Sequence, residues 1–577
     1  MTTGPFIARG GAVLAMSALA MLTASLAARA QTAPLPNIGD AVRQSEETRK
    51  GTDLPRTGTA PVLPRLVEPP FTLNDKEKLF VRTFRIEGDR LGDDAEARAL
   101  LAPYEHRKLT ITEIYAAADQ LTTLYRGRGY LVAKAYVPAQ DARNGTLRIK
   151  IVAGRYGAVT IKNESLVRDK ELQGLVDHAL AGATIIHKDP LERAMLLMSD
   201  LPGAGAPRIA IGSGRQLETS DFVFGVPQAR RFDGYLLGDN YGSPYTGRMR
   251  LSGGLNVNSP LGFGDRLSAF GLVSEDSHLA NGRVAYSAPV GYDGLRAEIG
   301  AYRTTYALGG IYSDLDATGT ADAVTATVSY PIIRQVNGSL YISGNYTHKT
   351  LNDNVLGVSL AHRNMDEGTV ALTGDTTSAL FGLPWTTSTT LSVTAGNVVF
   401  PDPAQRAANV AGVNTAGDFS KINLSFLTTV GLTDKLSFSA SVRAQQSLSG
   451  NLDSSEQLSL AGFWGVRSYD EGLAGDSGYI VTPELKYALP DIERYRHAVG
   501  VFTDVGAVWL ADASFTTTQK SYTQLNDVGL GYYATYEYSA ARFLLLKAQV
   551  AHSYGGTGGA QSYDRGTKGL LQVGLTF

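Results

Sequence analysis

The sequence predicts α+β modules followed by a transmembrane antiparallel β-barrel of about sixteen strands. Three observations carry the prediction. The chain of 577 residues begins with a secretory leader; residues 78–226 mix helical and strand periodicities; and from Arg231 to Phe577 helical periodicity gives way to recurring two-residue alternation. No long apolar run follows the leader, so a membrane crossing requires a closed barrel, which satisfies its backbone polar groups between strands.

The leader consists of Arg9, an apolar stretch from Ala12 to Leu26, and the small residues of Ala28-Arg29-Ala30. Cleavage is expected between Ala30 and Gln31, leaving residues 1–30 as a signal peptide. Residues 31–50 hold one amphipathic stretch, Ile38 to Arg49. Ile38, Ala41, Val42 and Ser45 share a face, and Arg43, Glu46, Glu47 and Arg49 lie mostly off it. Such a segment is too short to be a stable helix alone and needs a partner surface. Residues 51–77 contain Pro55, Pro61, Pro64, Pro69 and Pro70 and form an extended linker.

Residues 78–154 predict a strand over Phe80 to Ile86, then helices near Asp94–Leu101 and Thr112–Tyr125. Strands follow at Leu131–Val137 and Thr146–Val152, with Asn144-Gly145 as the turn. Residues 155–228 repeat that order. A strand over Ala158–Lys162 precedes helices near Arg168–Leu180 and Pro190–Ser199, and strands at Arg208–Gly212 and Asp221–Val226 close the unit. Leu131–Val137 and Arg208–Gly212 are candidate sheet edges for binding an extended chain by strand addition.

In residues 229–577, Met249, Leu251, Leu255 and Val257 alternate with Arg248, Arg250, Ser252 and Asn256. Leu571, Val573, Leu575 and Phe577 alternate likewise with Gln572, Gly574 and Thr576. Arginines and small hydroxyl residues in the polar series suit a wet lumen, while the apolar series suits lipid.

Composition removes other classes. There are 53 basic against 55 acidic side chains, a net charge of −2, and no basic stripe, so no nucleic-acid partner is expected. With no cysteine, disulfides and thiolate metal sites are excluded. No histidine cluster has zinc spacing and no phosphate-binding loop is present, so no metal or cofactor is expected. Gly475-Asp476-Ser477-Gly478 superficially suggests a nucleophile loop, but no histidine base accompanies it. It is a turn, and no catalytic residue is assigned.

Several strings resemble the transporters of two-partner secretion, related to the filamentous-haemagglutinin and haemolysin exporters. These are Leu191-Glu192-Arg193 through Asp200-Leu201-Pro202-Gly203, Asp239-Asn240-Tyr241-Gly242 with Thr246-Gly247-Arg248, and Val466-Arg467-Ser468-Tyr469 followed by Gly475-Asp476. Phe502-Thr503-Asp504-Val505-Gly506 and the terminal Phe577 complete the set. The resemblance implies two periplasmic POTRA modules, an N-terminal plug helix and an outer-membrane barrel. It implies a function too: secretion of one large exoprotein (adhesin, haemolysin or contact-dependent toxin) captured unfolded by the modules. The alternative within the superfamily is a factor that inserts other barrels; a passive porin fits less well because porins lack such modules. The implied partners are the exoprotein, the barrel-assembly machinery that reads Phe577, and the lipid bilayer. A monomer is expected.

For the site, the resemblance implies that Val466, Arg467, Ser468 and Tyr469 lie on a long loop folded into the pore. Phe502, Asp504 and Gly506 lie on the strand that receives it, with Arg467 paired to Asp504. The family usually has glycine where this chain has Ser468. If that position needs positive φ, Ser468 is expected to be strained by about 1 kcal/mol or more.

Overall fold

A computed structural model of the chain describes residues 36–51, 63, 77–92, 94–470, 472–515, 521–557 and 566–577. The expected leader, the expected cleavage site at Ala30 and Gln31, and nearly all of the expected Pro-rich linker lie outside the described residues. The first described element is a helix, Ile38–Gly51.

The first module contains β1 (Leu79–Val81), β2 (Thr83–Gly88), β3 (Arg107–Leu109), β4 (Lys134–Tyr136) and β5 (Thr146–Val152), with helices Asp94–Leu101 and Ile111–Gly127. The single strand expected over Phe80–Ile86 is two. Arg82 donates its amide to the Gly145 carbonyl at 2.7 Å, which breaks the run between β1, paired with β3, and β2, paired with β5. Helix Ile111–Gly127 starts at a capping box in which Thr110 and Glu113 satisfy each other's backbone amides. Its inner face (Ala117, Ala118, Leu121, Tyr125) buries against Ile149 and Ile151 of β5.

The second module contains β6 (Arg155–Asn163), β7 (Arg208–Ser213) and β8 (Thr219–Val226) with helices Asp169–Ala179 and Lys188–Ser199. Both modules order a three-stranded sheet alike: β2-β5-β4 and β6-β8-β7. The two candidate edges differ. β4 is shorter than the expected Leu131–Val137, and its Ala135 amide is taken by the Thr122 hydroxyl at 3.0 Å, so the neighbouring helix covers that edge. β7 lies at the margin of its sheet.

Sixteen strands close the barrel. They are β9 (Phe232–Asp239), β10 (Arg250–Asn258), β11 (Arg266–Ser274), β12 (Leu279–Pro289), β13 (Arg296–Ala307), β14 (Thr318–Gln335), β15 (Gly338–Val355), β16 (Val358–Leu380), β17 (Leu383–Val399), β18 (Gly417–Gly431) and β19 (Leu436–Ser447). Two short strands in a loop, β20 (Leu458–Ser459) and β21 (Ala474–Gly475), stand apart from the barrel. The wall then resumes with β22 (Ser477–Ala488), β23 (Tyr495–Trp509), β24 (Tyr522–Ser539), β25 (Arg542–Thr557) and β26 (Thr567–Thr576), which returns to β9. An even strand number puts the start of β9 and the end of β26 on the module side. There several turns are as tight as Phe381-Gly382, whose two residues both have positive φ, as the I′ class of two-residue hairpin requires. The alternation divides as lipid and lumen demand: Leu251, Ile299, Val370, Leu530 and Val573 are exposed, whereas Arg250, Tyr302, Lys349 and Arg363 are buried inside.

The second module is bracketed to the barrel. β14 pairs with β13 only from Thr318 to Ser329, so its last turn of ladder, from Tyr330 on, has β15 alone as a neighbour. Helix Lys188–Ser199 covers that free edge. Glu192 accepts the Val336 amide at 2.7 Å, and Arg193 reaches the Pro331 carbonyl and the Asp293 carboxylate, the latter at 2.9 Å. Arg334 meets both oxygens of Asp200 at 2.7 and 2.8 Å.

Asp293, in the turn between β12 and β13, gives this bracket a pH dependence. Burial opposes its charge, but the Tyr330 hydroxyl and the Arg193 guanidinium outweigh burial and hold the carboxyl below the usual carboxylate range. A depressed carboxyl pKa stabilises at neutral pH, and that contribution is lost as pH falls through and below the ordinary value of about 4. Spin labels on Lys170→Cys and Asp491→Cys should therefore show one narrow distance at pH 7 that broadens only below about pH 4. A narrow distribution that persists to pH 3, or broadening already at pH 6, contradicts the bracket.

Candidate functional site

The longest connection in the barrel, residues 448–476 between β19 and β22, folds into the lumen. Its own packing dictates the shape. β20 and β21 pair at Leu458↔Gly475 and Ser459↔Ala474, closing the neck of the loop. Leu458, Leu460, Val466, Tyr469 and Leu473 bury against Ile480, Val508 and Leu525 of the wall. A turn over Gly462–Gly465 returns the chain, and the Val466 amide donates to the Leu460 carbonyl at 2.7 Å. Gly465 is needed there, because a Cβ would fall 2.1 Å from that carbonyl oxygen. The turn delivers Arg467 to the wall.

Arg467 meets Asp504 of β23 by two points, Nε to Oδ2 at 3.0 Å and Nη2 to Oδ1 at 3.1 Å, and its own amide donates to Oδ2 at 3.3 Å. The Thr482 hydroxyl donates to Oδ1 at 2.7 Å. The guanidinium lies 3.8 Å over the Phe502 ring. The Asp504 side chain is 0 % exposed and that of Arg467 11 %, so water does little of the solvation. Gly506 makes room for the loop: a Cβ there would stand 2.7 Å from Leu460 Cδ1. Val466 and Tyr469 are fully buried.

The strain expected at Ser468 is absent, since Ser468 is not among the described residues with positive φ. Its amide instead donates to Oδ2 of Asp527 on β24 at 2.8 Å. Asp527 sits opposite Asp504 in the β23–β24 register and also takes the Asp504 amide at 3.3 Å. Gly475 approaches Val508 and Trp509 too closely for a Cβ. Asp476 fixes the neck, accepting the amides of Leu452 and Ala511, both at 2.9 Å, and the Gln457 side chain at 3.0 Å. Phe577 exchanges backbone hydrogen bonds with Gly234 and forms the last rung where the barrel closes.

A second set of charges holds the loop base and the helix Ile38–Gly51 inside the lumen. Arg363 bridges Asp353 of β15 (2.8 Å) and Asp453 of the loop (2.6 Å). Asp353 also accepts the Ile38 amide at 2.7 Å and the Tyr306 hydroxyl at 2.8 Å. Glu456 of the loop takes Lys421 at 2.8 Å and pairs with Lys349. Ile38, Ala41 and Val42 bury among Tyr302, Tyr306, Met365 and Phe419, and Ser45 is buried beside them. The face expected to be polar is enclosed as well: Arg43 bonds Asp40 and the Ser454 carbonyl, and Glu47 pairs with Arg443 of β19. Helix and loop touch at Gly39, where a Cβ would overlap Ser454 and Ser455. Sequence reasoning missed Asp527, Asp353, Arg363, Lys349 and Glu456, because single polar residues in an alternating strand, or in a long loop as for Glu456, carry no mark of what they face.

Comparison with known proteins agrees with this architecture. Residues 79–154 match the POTRA domain of ShlB type, and residues 218–531, more than half of the chain, match the haemolysin secretion/activation protein ShlB/FhaC/HecB. The heme/hemopexin transporter protein HuxB of Haemophilus influenzae (strain 86-028NP) is 26% identical over 504 residues, covering 86% of this chain and 88% of HuxB. The outer membrane transporter CdiB of Escherichia coli O6:K15:H31 is 27% identical over 436 residues, covering 72% and 70%. The solved structure of CdiB from Escherichia coli superposes with a TM-score of 0.68 at 20% identity, covering 94% of this chain and 99% of that one. BamA from Haemophilus ducreyi shares the fold at a TM-score of 0.51 and 14% identity, covering 86% of this chain and all of that one. The chain therefore belongs to the haemolysin secretion/activation protein family ShlB/FhaC/HecB, the transporters of two-partner secretion: it is an outer-membrane barrel with its N-terminal modules in the periplasm.

Proposed function

We propose that this protein secretes one large exoprotein, an adhesin, haemolysin or contact-dependent toxin, through its own lumen. The observation that carries the proposal is the lumen itself: a helix and a loop fill it, and beside their apolar contacts both are anchored to the wall by charged side chains. A plug anchored in good part by polar contacts can leave and return, because water and the passing chain can take over those contacts. A barrel-inserting factor, the alternative from sequence, has only the fold shared with BamA behind it.

In this reading the modules capture the unfolded exoprotein. The margin strand β7 is the preferred site, since strand addition needs an uncovered edge and that of β4 is taken by Thr122. Phe577 serves as the residue read by the assembly machinery. The transporter acts as a monomer and assigns no chemistry to any residue.

The plug is tested by deleting residues 36–51, which should raise single-channel conductance in planar bilayers. Conductance equal to that of the intact chain would mean that the helix does not obstruct the pore.

The loop lock is Arg467 with Asp504. Removing either partner strands the other charge in a nearly dry site, at a cost of about 3–5 kcal/mol. Arg467→Ala and Asp504→Ala should each reduce exoprotein in the medium at least tenfold while the barrel still migrates as a folded species in unheated gels. Normal secretion by either variant would show that the pair is ornamental to transport.

A further inference from the structure

The barrel closes where β26 meets β9, and this is its shortest ladder. Only Gln572–Thr576 pair with β9, although β26 pairs with β25 from Thr567 onwards. Thr567 to Leu571 therefore have a neighbouring strand on one side alone.

Three groups from outside the ladder cover this gap. Asn240, just past β9, donates its amide to the Leu571 carbonyl at 3.2 Å and its side chain to the Gly569 carbonyl at 3.0 Å, and accepts the Leu571 amide at 2.8 Å. From the lumen, Phe463 of the inward loop lies flat on Tyr241, centroids 3.5 Å apart and 8° from parallel, and both bury against Leu570. At the loop tip, Asp470 takes both nitrogens of the Arg248 fork at 2.9 Å and Lys568 at 2.9 Å. Arg248 lies on the β9–β10 hairpin, where its carbonyl accepts the Gly242 amide, and Lys568 lies on β26. One carboxylate thus spans the two sides of the closure, next to an aromatic contact that spans them as well.

We propose that the inward loop is also a staple for the barrel seam: Asp470 and Phe463 hold β26 to the β9–β10 hairpin, so that a loop tip leaving its site on β23 and β24 loosens the seam. Asp470 is a positioning residue in this account. The proposal concerns the closed barrel and stands whether or not exoprotein passes through it.

Amide hydrogen exchange on the full chain in detergent or nanodiscs tests it. Asp470→Asn should speed exchange at Thr567–Leu571 about five- to tenfold, the loss expected of a small charge network, and leave β15 unchanged. Lys568→Gln should give part of the effect, and the double variant should add nothing to Asp470→Asn. Because the chain has no cysteine, Leu236→Cys with Leu575→Cys, register partners across the seam, should restore protection when oxidised. Unchanged exchange in β26, or a rise spread equally over β15 and β23, would overturn the proposal. Should Asp470→Asn not assemble, Lys568→Gln and Phe463→Leu carry the same test.

Discussion

A barrel of sixteen strands is wider than its own side chains can fill, and that constraint governs the rest of the structure. The space is closed by two pieces of the same chain, the helix Ile38–Gly51 and the loop of residues 448–476, and both bring charges into a confined place. A charge taken from water is tolerated only when a counter-charge and hydrogen bonds wait for it. The wall supplies these at fixed heights: Arg363, Lys349 and Lys421 meet the loop base, Asp504 and Asp527 meet the loop tip, and Asp353 meets the helix amino end.

These sites are joined to one another. Asp353 serves the helix and Arg363 together, and Arg363 passes to Asp453 of the loop. The loop then reaches across the lumen to β23 and β24 with Arg467 and Ser468, and to the closing strands with Phe463 and Asp470. Helix, loop base, loop tip and closing strands are therefore successive contacts of one connected set. On the periplasmic side the second module covers the overhanging end of β14, so the first module is joined to the barrel through a unit that is itself bracketed. The residues that make the bracket, Glu192, Arg193 and Asp200, lie in the string Leu191 to Gly203 that the sequence shares in type with the family.

Much of this is legible in the amino-acid sequence. Two-residue alternation identifies a lipid face because each strand carries its own record of it: Leu251 and Leu255 point out, Arg250 and Ser252 in. The helix Ile38–Gly51 is legible from Ile38, Ala41 and Val42, and Arg467 and Asp504 from the strings around them. What is not legible depends on register. Nothing in β24 distinguishes Asp527 from any other inward polar residue until β23 sets Asp504 opposite it. Arg363 and Asp453 are 90 positions apart, and only the folded loop brings them together. The break between β1 and β2 depends on the carbonyl of Gly145, far along the chain, and the amide of Ser468 finds its partner in a carboxylate to which local sequence does not point.

The central claim is that the lumen is ordered by charges that hold one another, with Arg467 and Asp504 as the principal pair. A double-mutant cycle on their stability tests it most directly, using Arg467→Ala, Asp504→Ala and the double variant and reading the temperature at which the barrel loses its folded gel mobility. The account predicts strong non-additivity: each single variant strands a buried charge, and the double variant, which strands none, is no less stable than either single one. Additive losses, with the double variant worse by the sum of the two, would contradict it.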